Sequence, residues 1–155
     1  MDPQLPDGIL ILTGVELEAR ALARHLELPS WNPPSAPGSV GRAFGAGRLR
    51  VAVAGIRACR LSARWPRLLD GLGRPLVVSA GVCGALDPAL APGALVCPER
   101  VRASDGREHR LEDPRHRDRI AGRVGPLHGG CLVSAPEIVA TPADKARLRR
   151  DTGAA

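Results

Sequence analysis

The sequence predicts an α/β fold, and three observations predict it. Apolar runs at residues 9–13 and 75–82, and a strand-like run at 48–53 that alternates basic and apolar residues, are interleaved with stretches whose apolar residues recur at helical spacing. Glycines stand at the ends of those runs, Gly14, Gly55 and Gly81, where an open α/β sheet passes from strand to turn or helix. A late helix has a complete set of end signals. Thr141 can cap it, Pro142 suits its first position, Asp144 its third, and Gly153 its C-terminal cap.

With 155 residues, the chain is long enough for one domain burying about 70% of its unfolded surface. Residues 1–7, acidic and proline-rich, are expected to form a flexible tail, and residues 8–155 a single domain. A hydrophobic share of 44% and a charged share of 25% mark a globular chain rather than a disordered one. No run approaches the ~20 apolar residues of a membrane span, and the N-terminus lacks a signal peptide's basic start. A cytoplasmic location is the expectation.

Cys59, Cys83, Cys97 and Cys131 are widely spaced and form no Cys-x-x-Cys pair, so they are read as small reduced hydrophobes rather than zinc ligands. A net charge of +6 raises the prospect of a nucleic-acid partner. Three features argue against it. The arginines are dispersed, the basic stretch from Arg100 to Arg123 also carries five acids, and Phe44, Trp31 and Trp65 are the only aromatics on which a base could stack. There is no Gly-x-Gly-x-x-Gly, Walker loop or Gly-x-Ser-x-Gly. No cofactor and no metal are expected.

Taken in order, residues 9–13 read as a buried strand. Residues 16–27 read as a helix with Leu17, Ala21, Leu22 and Leu26 inward, ended by Pro29. A proline-rich loop over 29–38 leads to a hairpin over 40–55. A helix from Arg57 to Leu72 holds Pro66, which should kink or break it. Residues 75–82 are the clearest buried strand. Ala94–Cys97 is a short strand, 102–118 a charged loop with partial helix, and 129–134 another strand before the last helix.

The chemistry concentrates at the first strand's end. Ile-Leu-Ile-Leu-Thr-Gly-Val-Glu-Leu-Glu, residues 9–18, runs from apolar strand through Gly14 into a helix opening with Glu16 and Glu18. Ligands of open α/β sheets bind at the carboxyl ends of the strands, which would put the Glu18 carboxylate at a site's mouth. An acid in a first helical turn is also favoured by the helix dipole alone. Gly81 and Gly84 let backbone come close to a ligand or to a neighbouring strand.

These segments together resemble the purine nucleoside phosphorylase and nucleosidase family. Residues 9–19 look like its first strand and acidic turn, and Val51–Ile56 like the end of its hairpin. Ser79-Ala-Gly-Val-Cys-Gly-Ala-Leu-Asp-Pro88 looks like its glycine-rich signature, and Pro92-Gly-Ala-Leu-Val96 like the Pro-Gly-Asp-Leu-Val that follows. Residues 133–142 are similar to the approach to the last helix in the small bacterial hopanoid-associated members. The methylthioadenosine/S-adenosylhomocysteine nucleosidases are the other similar subgroup.

The resemblance implies a three-layer α/β sandwich with a mixed central sheet, and cleavage of the N-glycosidic bond of a purine nucleoside of adenosyl type. It implies an oxocarbenium-like transition state, with water or phosphate as nucleophile. It gives Glu18 the role of activating water. Gly81 and Val82 would lie along the ribose and base, and Ile138 and Val139 would cover the purine. Gly14 and Arg57 would be contacts for phosphate, although a solvated helix-start residue is the stronger reading of Arg57. A small-molecule partner and the option of a homo-oligomer follow from the same source, and no nucleic-acid partner is expected on the charge pattern given above. The family's ribose-binding acidic motif would fall directly after residue 155, and its purine-protonating aspartate further on. The domain is therefore read as lacking its C-terminal elements, with activity impaired and a sheet edge exposed. The alternative is a non-catalytic interaction protein on the same scaffold.

Overall fold

Four of the six residues of β1, Gly8–Thr13, alternate two by two across the sheet plane: Leu10 and Leu12 face one side, Ile9 and Ile11 the other. A strand apolar on both sides needs cover on both; the first of the chain's two units buries Leu10 and Leu12 and covers the other side in part, with Ile11 half-buried and Ile9 exposed. In this computed structural model, which describes residues 5–32, 42–55, 61–103, 105–110 and 114–154, the units are Met1–Cys83 and Gly84–Ala155.

The first unit has a four-stranded sheet in the order β2 (Ala43–Ala46), β3 (Leu49–Val53), β1, β4 (Pro75–Ser79). β1 runs parallel to both neighbours, with Thr13 opposite Val53 and Leu12 opposite Ser79. β2 and β3 form the expected antiparallel hairpin, turned at Gly47 with φ 55°. The outer side of β2 is covered by residues 29–31, where Trp31 N–H donates to the Ala43 carbonyl at 2.9 Å.

Helix α2 (Leu61–Leu69) covers one face. Its Leu68, with Leu72 just beyond, packs on Leu10, Leu12, Ala43 and Ala52, and Trp31, Leu61, Trp65 and Leu69 close the cluster. Each fully buried leucine contributes about 1.5–3 kcal/mol. Of the kink or break expected at Pro66, the break does not occur: α2 runs through it, and stops at Leu69 rather than Leu72. Residues 56–60 lie outside the described residues.

Helix α1 (Glu16–His25) lies against β1, β2 and β3. Its buried residues are Ala19 and Ala23, which corrects the expected inward face, since Leu17 is 79% exposed. Ala19 and Ala23 are themselves an i, i+4 stripe, and their short side chains let the helix backbone sit close to the sheet. The helix stops before Pro29. Leu28 N–H returns to the Ala23 carbonyl while Glu27 takes a left-handed φ of 53°, a position glycine usually fills. Helix, mixed sheet and helix make this unit a three-layer α/β sandwich.

The second unit has a three-stranded sheet in the order β6 (Glu108–Arg110), β5 (Arg100–Arg102), β7 (Cys131–Val133). The hairpin β5–β6 was expected as charged loop. It turns where Asp105 accepts from the Arg107 N–H at 3.0 Å. The strand expected at 94–97 is a single bridge, Val96 to His128. Helix α3 (Pro114–Val124) is tied by Arg117 to Glu99 at 3.1 Å. Helix α4 (Pro142–Thr152) begins and ends as expected: Thr141 Oγ1 accepts from the Asp144 N–H at 3.1 Å, and Gly153 closes it with φ 65°.

Arg50 on β3 is a basic residue of the alternating 48–53 run, yet it is 7% exposed. Its guanidinium lies 4.1 Å from the Trp31 ring centroid and donates to the Leu68 carbonyl at 2.8 Å, one of the carbonyls the end of α2 leaves free. Arg50→Met should cost about 1–3 kcal/mol, because the stem still packs but Leu68 loses its donor. Arg50→Ala should cost more, through the added cavity. Urea unfolding of both checks this, and equal losses would mean that packing is not part of the arginine's role.

Candidate active site

Because β1, β3 and β4 are parallel, their carboxyl ends lie along one edge of the first sheet. The turn Gly14–Val15 leaves β1 there, and Ala80–Val82 leaves β4 there. The two segments are joined at their roots by the Ala80 N–H, which donates to the Leu12 carbonyl at 2.9 Å.

Glu18 is the third residue of α1 and reaches back over this edge. Its Oε2 accepts from the N–H of Gly14 at 3.0 Å and of Val15 at 3.1 Å. Its Oε1 accepts from the N–H of Val82 at 2.8 Å. The contact to Val15 is half of a capping box. The other half is missing, because a valine side chain has no acceptor to offer the helix. A carboxylate has about four lone-pair sites, so one on Oε1 is left open.

The Val82 N–H is the foremost cause holding the Glu18 carboxyl below the ordinary glutamate range. The Val15 and Gly14 N–H groups add to it, and partial burial opposes it. Near neutral pH the group is an anion held in place by fixed dipoles.

Gly81 makes this geometry possible. A Cβ built there would come within 2.8 Å of Glu18 Oε1. Gly14 differs, since a Cβ there would meet Oε2 at an ordinary 3.6 Å, so Gly14 contributes its N–H rather than its missing side chain. The expected close approach at Gly81 exists, and what approaches is the carboxylate.

Gly14, Glu18, Gly81 and Val82 are thus brought together. The Val82 side chain is 90% exposed. Ile138 and Val139 belong to the second unit, in the segment between β7 and α4, with Ile138 exposed and Val139 half-buried. Arg57 lies outside the described residues. The residues the sequence did not single out are Val15 and the N–H of Val82. In the second unit, Asp87 of the glycine-rich signature accepts from Arg149 of α4 at 2.7 Å and from the Ala89 N–H at 2.9 Å. Among the described residues no group of three His, Cys, Asp or Glu side chains could hold a metal ion, and no helix is long and apolar enough to cross a membrane.

Gly81→Ala should drive the Glu18 carboxylate off Val82 and lower stability by about 1–3 kcal/mol, whereas Gly14→Ala should cost under about 1 kcal/mol. Thermal unfolding of the pair checks this. A Gly81→Ala protein as stable as the Gly14→Ala one would mean that Glu18 is not held as described.

A model of the phosphorylase superfamily matches residues 8–155. No curated protein matches the chain. Among solved structures, the Campylobacter jejuni 5′-methylthioadenosine/S-adenosylhomocysteine nucleosidase is similar over 95% of this chain and 72% of its own, at 18% identity and a TM-score of 0.73. A mutant of the Helicobacter pylori enzyme of that kind, with 5′-methylthioadenosine in its active site, is similar over 97% of this chain and 74% of its own. There the identity is 16% and the TM-score 0.78. A futalosine hydrolase mutant of Helicobacter pylori is similar over 95% and 77%, at 14% identity and a TM-score of 0.74. The fold is theirs, and with the match over residues 8–155 the chain belongs to the phosphorylase superfamily, the family of nucleoside phosphorylases and nucleosidases that its sequence resembles.

Proposed function

We propose that this chain cleaves the N-glycosidic bond of a purine nucleoside of adenosyl type, with water as the nucleophile and Glu18 as the group that orients it. The observation that carries the reading is the ionised Glu18 carboxylate at the carboxyl edge of a parallel sheet, held by three backbone N–H groups with one lone pair on Oε1 open. A water donating to that lone pair has its own lone pairs turned toward a substrate. The negative charge also favours the cation that develops on the ribose as the base departs.

Phosphate is the less suited nucleophile. The Gly14 N–H, a donor that phosphate would use, is already directed at Glu18. A phosphate oxygen 4 Å from an ionised carboxylate would meet a repulsion of about 4 kcal/mol per unit charge at an effective dielectric of 20. Gly81 and Val82 are assigned to the ribose and base, and the exposed Ile138 with Val139 to the purine. The support for these four is their match to the family's positions. The substrate class is supported by the nucleosidases and the hydrolase that share the fold.

Adenine release from adenosine and methylthioadenosine should proceed without phosphate and fall on the order of 10²-fold or more in Glu18→Gln. Release that requires phosphate would sink the choice of water. Undiminished release from a folded Glu18→Gln protein would sink the role of Glu18.

The sign of the Glu18 shift sets a pH expectation. A carboxyl whose folded pKa is depressed stays ionised above it, so the rate should hold as pH falls to the ordinary glutamate value of about 4.3 and decline only below. The stability that Glu18 contributes is complete above the same value and is lost as pH falls through the lower folded pKa. A rate that declines with a midpoint near pH 6 would identify some other titrating group.

A further inference from the structure

Among the described residues the buried polar side chains are Thr13 and Arg50. Arg50 has Trp31 and the Leu68 carbonyl as its reasons. Thr13 has no such reason in the core. It ends β1 at 1% exposure, where a valine would fill the same space without the cost of burying a hydroxyl. What the hydroxyl bonds is therefore the guide to its purpose.

The Oγ1–H of Thr13 donates to the Val15 carbonyl at 3.2 Å. The bond is long, and its effect comes from where it sits. The ring it closes contains the two peptide units that flank Gly14, the residue of this turn with the most backbone freedom. Those units carry the Gly14 and Val15 N–H groups, which donate to Glu18 Oε2 at 3.0 and 3.1 Å. Both ends of the ring are anchored. The Thr13 carbonyl accepts from the Ala54 N–H at 2.8 Å, just beyond β3, and the Val15 carbonyl also accepts from the Ala19 N–H of α1 at 3.3 Å.

We infer, resting on the role proposed for Glu18, that Thr13 is a positioning residue for it: the Thr13 hydroxyl holds the Gly14–Val15 turn so that both N–H groups converge on Oε2. Glu18 itself reports whether they do. Backbone N–H groups are what depress its pKa, and no charged side chain is among the causes. Glu16, the other acid in the helix's first turn, is paired with Arg20 and Arg42.

The titration of the Glu18 carboxyl tests this without turnover, by carbon NMR on the full chain, with the signal assigned by its absence in Glu18→Gln. Thr13→Val keeps the shape and loses the hydroxyl. Thr13→Ser keeps the hydroxyl and loses a buried methyl. A purely structural role would make the serine variant the more disturbed of the two, because it leaves a gap in the core. Positioning reverses that order at Glu18. Its pKa should rise toward the ordinary glutamate value in Thr13→Val and stay at the parent's in Thr13→Ser, even where the serine variant melts lower. In step with this, kcat for adenine release should fall about tenfold in Thr13→Val with KM little changed, and Thr13→Ser should recover most of it. If Thr13→Val does not fold, Thr13→Ala against Thr13→Ser isolates the hydroxyl in the same way. A Glu18 titration that loss of the hydroxyl leaves unmoved overturns the inference, whatever the rate does. A titration that moves while Glu18→Gln leaves release undiminished supports the hold of Thr13 on Glu18 and sinks only the role of Glu18 in the reaction.

Discussion

The first unit's site edge depends on one carboxylate. Glu18 takes hydrogen bonds from Gly14, Val15 and Val82, so a single side chain fixes the exit of β1, the start of α1 and the exit of β4. Without it, two of these N–H groups would be orphan donors of a helix N-terminus and the third an orphan at a strand's end. The helix has no alternative cap, because valine precedes it. Gly81 is the complementary half: with any Cβ there, the carboxylate and the β4 exit could not share the space.

The parts of this arrangement that lie close in sequence were legible in it. An apolar run, a glycine and two acids spell strand, turn and helix start, and Glu18 follows from them. The Val82 contact was not legible, because it spans 64 residues and is made by a backbone N–H, which every residue but proline carries. Glycine at 81 signalled a close approach without saying to what. The same limit explains the face of α1. Leu17 and Leu26 look like core residues, but two alanine positions form an equally periodic stripe, and only the distance from helix to sheet chooses between them. In the second unit, β5 and β6 are dominated by arginine, glutamate and histidine, so no apolar alternation announced them.

Two arginines sit where composition alone would not put them. Arg50 and Arg64 look like solvated surface in a chain with 22 basic residues, yet one is buried over Trp31 and the other has two sealed nitrogens. A guanidinium is weakly hydrated and planar, and its stem is apolar, so it enters a core that an ammonium would not. What differs between the two is partnership. Among the described residues Arg50 has a helix carbonyl and an aromatic face, whereas Arg64 Nε and Nη2, like Arg50 Nε, have no hydrogen-bond partner.

The structural role of Glu18 and the chemical role proposed for it are one property. A carboxylate positioned by flexible contacts would have to be ordered as the substrate arrives, at a cost in conformational entropy of up to about 2 kcal/mol. Three backbone donors have already taken that freedom during folding. They also depress its pKa, which makes Glu18 a weak proton acceptor but a durable anion. Under the proposed reaction this division is apt. A departing base that leaves an oxocarbenium-like ribose calls first for negative charge in a fixed place, and only later for a group to receive a proton from water already committed to bond formation. A strongly basic, loosely held glutamate would serve the second need at the expense of the first.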